Sequence, residues 1–282
     1  MKKLLSVLLA AGMVFSVTAC GASSESTAST ETNTAEAASD ETASAETASG
    51  EFTTVTDGVL TMSTNAAFPP YEMTTDSGDF EGIDVEIAGA IAEKLGLELQ
   101  IDDMDFDAAL LAAQTGKSDM VMAGVTVTED RQTVMDFSDS YAAGIQVVIV
   151  PEDSDIASID DMTGKMIGVQ RGTTGDQYCS ASVEDGGFGE ENVTRYDNGL
   201  TAVQALNNGQ VDCVVIDNAP AQEFVAANPG LKILDTEYAN EEYAIGVAKG
   251  NTQLLDAINT AIAELKADGT IQSILDKYIS AE

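Results

Sequence analysis

Arg131 closes the segment MVMAGVTVTEDR and is one of only three arginines in a 282-residue chain that carries 48 acidic side chains. A guanidinium is planar and forked, and it holds a carboxylate through two parallel hydrogen bonds. The run before it carries Gly124, Thr126 and Thr128. Further along, the apolar stretch VDCVVI is followed by Asp217, and KMIGV by the loop QRGTTG, which contains Gln170 and Thr174. Nearer the N-terminus, VLTMST runs into NAAFPPYE, with Asn65 and Phe68. A cation, a glycine, hydroxyls, the amides of a helix N-terminus and a carboxylate suit a zwitterion. Arg131 and the helix amides would take its carboxylate, and Asp217 its ammonium. Each piece also has a plainer reading. Arg131 could be a surface residue of an acidic loop, Asp217 the N-cap of a following helix, QRGTTG a simple turn, and Phe68 and Phe106 ordinary core.

These residues can meet only if the elements between them bring strand ends together. The spacing predicts a strand over 59–64 and then a loop in which Pro69 and Pro70 forbid regular structure. A helix should follow, with Asp84 as N-cap, Ala88, Ile91 and Leu95 on its apolar face, and Gly96 as C-cap. A strand over 97–101, a helix over 106–114 and a strand over 119–123 complete a βαβαβ series. A second series has strands over 144–150, 165–169 and 211–216, with helices from about 174, over 199–209 and over 218–228. Strands over 231–234 and 243–249 and two amphipathic helices, 252–266 and 269–279, end the chain. The reading is an α/β protein of two lobes, each an open sheet flanked by helices. The chain should cross between them near 141–145 and 241–244. Ligands of open α/β sheets sit beyond the C-terminal ends of the strands, where the residues above fall.

Length and charge support this. Residues 1–20 read as an export signal, with Lys2 and Lys3, an apolar stretch over 4–17, and V-T-A-C ending at Cys20. Cys20 is either the acylated cysteine of a lipoprotein signal or a plain thiol after an ordinary cleavage site. Residues 21–50 are rich in Ser, Thr, Ala and Glu and cannot bury enough apolar surface to fold. Behind a lipidated Cys20 they would be a tether. The remainder exceeds a usual single core. It keeps ten of the 12 basic and 42 of the 48 acidic residues, which excludes a generic nucleic-acid or anionic-membrane binder. The chain has no histidine, the commonest general base and metal ligand. Cys179 and Cys213 have no metal-like spacing and are either buried thiols or one disulfide. No cofactor and no metal are expected.

The motifs NAAFPPYE, GIDVEIAGAIAEKLG, IGVQRGTTG, VDCVVID and ADGTIQSILDKY flank a central MDFDAALLAAQTGKSDMVMAGVTVTEDRQTVMDFSDSY, in which T-x-T-x-x-R precedes D-F-S-D. Along nearly its whole globular length the chain thereby resembles the bacterial extracellular solute-binding proteins of family 3, the polar-amino-acid receptors of ABC importers. The resemblance implies a type II periplasmic-binding-protein-like fold with a two-strand hinge. Lobe 1 would be 51–141 plus 244–282, and lobe 2 would be 142–243. It implies that Arg131, the Thr174 N–H and the Thr126 hydroxyl hold a ligand carboxylate, and that Asp217 and the Gly124 carbonyl hold the ammonium. Phe68 and Phe106 would sandwich the ligand side chain, and Asn65, Asp84, Ala123 and Gln170 would select it. Asn65 stands where many relatives for basic or amide ligands carry Asp, so a neutral polar side chain is expected. The implied protein is a non-enzymatic monomer. It is anchored through Cys20 to the outer face of the cell membrane, in the periplasm if an outer membrane exists, and it serves an ABC permease and its ATPase. The same fold includes a dehydratase acting on a cyclic carboxylate, the alternative reading.

Overall fold

The strand Val59–Thr64 is buried along almost its whole length, as a parallel strand covered on both faces must be. It pairs in parallel with Glu98–Asp103 on one side and Met120–Val121 on the other. Gly246–Ala248 adds antiparallel to Met120–Val121, and Met135–Phe137 closes the order. The computed structural model describes residues 52–279, so the export signal, Cys20 and the spacer lie outside the described residues.

The helix Ile83–Leu95 covers this first sheet with Ile83, Ile87, Ala88, Ile91 and Ala92, a stripe at helical spacing. Gly96, in the left-handed region at φ 71, ends it by donating to the Ala92 and Glu93 carbonyls. The start differs from expectation. Gly82, not Asp84, holds the N-cap position, and a Cβ there would run into the Tyr71 carbonyl. Asp84 falls instead in the first turn, fully buried. Pro69 and Pro70 also forbid less than expected. They sit at a turn between two short strands, Ala67–Phe68 and Glu72–Thr74, which pair antiparallel and extend to Phe80–Glu81.

The second sheet runs in the order Val193–Tyr196, Ile167–Gln170, Cys213–Asp217, Ala142–Pro151, Leu231–Ile233. Ala239–Tyr243 also pairs with Ala142–Pro151. The expected strand over 243–249 is therefore two strands. Tyr243 ends one in the second sheet, and Gly246 begins another in the first. The chain passes from the first sheet to the second between Phe137 and Ala142 and returns between Tyr243 and Gly246. The helices Thr252–Ala267 and Thr270–Tyr278 pack back on Ile83–Leu95. Lys94 pairs with Glu264 at 3.1 Å, and Lys277 pairs with Glu86. Cys179 and Cys213 are free and buried beneath the second sheet. Burial pushes the Cys179 thiol up to about 12, and that of Cys213 further still, so both are unreactive at neutral pH.

Candidate functional site

Arg131 is only 6% exposed, which disposes of the surface reading. It belongs to the short helix Glu129–Val134, whose N-cap Thr128 accepts a hydrogen bond from the Arg131 N–H. The side chain turns inward over the Phe106 ring, 5.4 Å from its centroid. Its Nη1 donates to the Thr126 carbonyl at 2.7 Å and its Nη2 to the Gly172 carbonyl at 3.1 Å. The second of these bonds links a loop of the first sheet to a loop of the second. Nε has no partner, so the protein uses two of the five guanidinium N–H groups. Burial pulls this arginine down to about 10, against the opposing pull of Glu241.

The loop after Met120–Val121 places Ala123, Gly124 and Thr126 beside it. Gly124 has φ 56, and a Cβ there would lie 2.9 Å from the Phe68 ring, so position and conformation both call for glycine. Its N–H donates to Asp84 Oδ2 at 2.9 Å. The Thr126 hydroxyl donates to Glu241 Oε2 at 2.8 Å. To donate to a ligand carboxylate it would have to turn away from Glu241.

From the second sheet come Gln170 and the loop to Thr174, the first residue of the helix Thr174–Ser180. Its N–H, in the first turn, has no intrahelical carbonyl to bond. Asp176 sets this loop by accepting from the Gly172 N–H at 2.9 Å and from Arg195 Nε at 2.8 Å. Asp217 does hold the N-cap position of Asn218–Ala227, but its side chain makes no capping bond. It accepts instead from the Tyr243 hydroxyl. Burial and then the charge of Glu241 raise Asp217 to about 7, with the Tyr243 bond opposing.

These groups surround one small pocket, lined by a few convergent polar groups beside aromatic rings, as small-molecule sites are. Its wall contains Asn65, Phe68, Phe106, Ala123, Gly124, Thr126, Arg131, Gln170, Thr174 and Asp217. Of the residues singled out from the sequence, Asp84 alone is absent from this wall. It lies behind Gly124, where burial raises it to about 6. Two lining residues escaped the sequence reading, Glu72 and Thr173. Glu72 is fully buried, with no hydrogen-bond donor to either oxygen. Glu241, behind Thr126, was also missed. It looked like one more acid in a chain full of them, and only pairing with Ala142–Pro151 turns it inward. Asn65 is engaged on both ends: its Nδ2 donates to the Met104 carbonyl at 2.9 Å and its Oδ1 accepts from Gln170 at 3.0 Å.

Known proteins are similar to this chain in sequence and fold. A probable histidine-binding protein of Neisseria gonorrhoeae is 33% identical over 229 residues, covering 79% of this chain and 84% of its own. An arginine-binding extracellular protein of Bacillus subtilis is 28% identical over 284 residues, covering 100% of both chains. A solved structure of an ancestral arginine-binding protein bound to arginine superposes with a TM-score of 0.74 and 42% identity, covering 79% of this chain and 99% of that one. The fold is the type II two-lobe fold of such proteins. A family model described as bacterial extracellular solute-binding proteins, family 3, matches residues 60–281. The chain belongs to that family, the extracytoplasmic amino-acid-binding components of ABC importers.

Proposed function

We propose that the pocket captures one free α-amino acid by gripping both ends of its zwitterion. The observation that carries this reading is that Arg131 and Asp217, borne by different sheets, line a single small pocket. The α-carboxylate would take the unused N–H groups of Arg131 and the Thr174 N–H. The α-ammonium would take Asp217 and the Gly124 carbonyl. Phe68 and Phe106 would flank the ligand side chain and add apolar contact. Arg131, holding a bond to Gly172, and Gln170, holding one to Asn65, act as latches between the loops of the two sheets.

The binding cycle follows as hinge closure. Lobe 1, 51–141 with 244–282, carries Arg131. Lobe 2, 142–243, carries Asp217 and Thr174. The ligand docks on the Arg131 lobe, and closure brings the second lobe over it. The closed form then meets a membrane permease and its ATPase as a monomer, while acylated Cys20 and the tether 21–50 keep it at the outer face of the membrane. A thermal-shift screen against the common amino acids tests the reading, because a ligand that binds only the native state raises the melting temperature. A flat screen would refute it.

Glu72 gives the dehydratase reading an acid it otherwise lacks. Incubation with cyclic carboxylates separates the two readings: turnover favours an enzyme, and one-to-one saturation favours a receptor.

A further inference from the structure

Glu241 stands behind the pocket wall, yet it bears on both of the charges that would grip a zwitterion there. It is 6% exposed and lies on the strand Ala239–Tyr243. The loop that carries Thr126 is stitched to this strand: the Val127 N–H donates to the Glu242 carbonyl at 3.3 Å, and the Ala244 N–H to the Val125 carbonyl at 3.0 Å. That register sets the Thr126 hydroxyl against Glu241 Oε2, which also accepts from Gln146 at 3.1 Å. Glu241 Oε1 has no donor. Arg131 makes its two bonds to carbonyls, so its place does not depend on a bond to Glu241.

A carboxylate in this position works against the ligand in three ways. It holds the Thr126 hydroxyl in a charge-assisted bond, so a ligand carboxylate must compete for that donor. Among the side-chain charges that act on Arg131, that of Glu241 is the largest. The ligand carboxylate therefore meets a cation already partly countered, and is itself repelled by Glu241. After burial, the charge of Glu241 is also the main influence that opposes ionisation of Asp217, the partner of the ammonium. Buried charges are little screened by salt, so all three effects persist in physiological buffer.

We propose that Glu241 is a positioning residue that lowers affinity: by holding Thr126 and opposing both charges of the site, it keeps the grip on the zwitterion loose enough for release. This rests on the amino-acid reading of the pocket. In the empty pocket the same charge is useful, because it balances Arg131 while no ligand carboxylate is present.

The consequence for pH follows from the groups around it. Arg131, Tyr178, Asp217 and Tyr243 face Glu241. Asp217 is faced by Glu241 and Tyr243, by Tyr178 on the helix Thr174–Ser180, by Arg131, and by Tyr71 and Glu72 after Pro70. Burial holds the three tyrosines and Glu72 well above their ordinary values, so between pH 6 and pH 8 Asp217 is the member of this set that changes charge. Removing the charge of Glu241 lets Asp217 ionise at lower pH and moves the onset of ammonium binding in the same direction.

The test is calorimetry at pH 6 and pH 8 on Glu241→Gln, with glutamine and arginine as probes. The carboxamide oxygen still accepts from Thr126 and Gln146, and the amino group takes the place of the oxygen that has no donor. Binding should tighten by roughly tenfold at pH 6 and by less at pH 8, with both probes, because the effect acts on the two ends they share. In an Asp217→Asn background the gain should become the same at both pH values. That background also subtracts Asp84, which titrates near 6 behind Gly124 in every variant. Unchanged or weaker binding in Glu241→Gln at pH 6 would overturn the proposal while leaving the Arg131–Asp217 site intact. Should that variant fail to fold, Glu241→Ala, which also removes the charge, decides by the same comparison. Failure of every common amino acid to bind the wild-type protein would instead overturn the underlying reading, and the proposal with it.

Discussion

Replacing Arg131 with methionine should separate binding from folding. Burial has drawn this guanidinium down to about 10, a shift that amounts to on the order of 3 kcal/mol against its charged form. Methionine removes that cost and keeps most of the contact with Phe106. It also strands the Thr126 and Gly172 carbonyls, which now accept at 2.7 and 3.1 Å, at about 1–3 kcal/mol each. The two effects offset to within about 3 kcal/mol, so the unliganded variant should melt within about 10 °C of wild type, given roughly 2–4 °C per kcal/mol in a chain of this size. Binding has no such compensation. A ligand carboxylate buried without its counter-charge loses about 3–5 kcal/mol, or roughly 150- to 4,000-fold in affinity. Calorimetry with the ligand found by the thermal-shift screen measures the second quantity, and scanning calorimetry without ligand measures the first. Affinity within tenfold of wild type would refute the carboxylate clamp. Unliganded melting more than about 10 °C lower would instead make Arg131 a structural residue.

Three further outcomes follow from buried acids and from the N-terminus. Asp217 and Asp84 sit near 7 and 6 against 3.8 when unburied. Their raised values contribute stability that is full below about 3.8 and lost as pH rises through about 6–7, so the unliganded protein should be less stable at pH 8 than at pH 5, by on the order of a few kcal/mol. Affinity should move the other way, because an ammonium needs ionised Asp217. It should fall by up to about tenfold per pH unit below 7 in wild type, and more gently in Asp217→Asn, which starts weaker. Cys20→Ser should release the protein from washed cell membranes into the soluble fraction, as followed by immunoblot. Retention on the membrane would remove the proposed anchor.

The sequence was most legible where local physics decides the structure. The strand 59–64 and the helix beginning at Thr174 coincide with their elements, because apolar runs and a Gly/Thr turn suffice to set them. It was less legible where a residue's role depends on which sheet its strand joins. The run from Tyr243 to Ala248 has no charged residue, so nothing local marks the change of sheet between Tyr243 and Gly246. Glu72 follows Pro-Pro-Tyr in what reads as a loop, and only pairing of Glu72–Thr74 with Ala67–Phe68 turns its side chain into the pocket. With 48 acids in the chain, no count of charges singles out the few that are buried. Asp84, which the resemblance put among the residues that select the ligand, lies in the first turn of a buried helix face, behind Gly124, and nothing in its local sequence marks that depth.

The strand Ala239–Tyr243 connects to both ends of the proposed ligand. Glu241 receives Thr126 from the Arg131 side, and Tyr243, two residues on, holds Asp217. Tyr243 lies flat across Ala142–Pro151 at Gly144, where an added Cβ would collide with its ring and hydroxyl. Gly144 therefore keeps Tyr243 on Asp217, and Gly144→Ala should push the ring off at about 1–3 kcal/mol of stability. The Tyr243 bond is one of the influences that lower Asp217 against burial and the Glu241 charge. Without it Asp217 rises further, less of it is ionised at neutral pH, and the ligand ammonium binds more weakly. That loss has a signature that distinguishes it from distortion of the cleft. It should be relieved as pH is raised from about 7 to about 9, in Gly144→Ala and in the uncrowded Tyr243→Phe alike, whereas the Arg131→Met defect should persist. Calorimetric affinities across that range decide the matter. If both variants lose affinity to the same extent at every pH, Tyr243 shapes the cleft without tuning its acid.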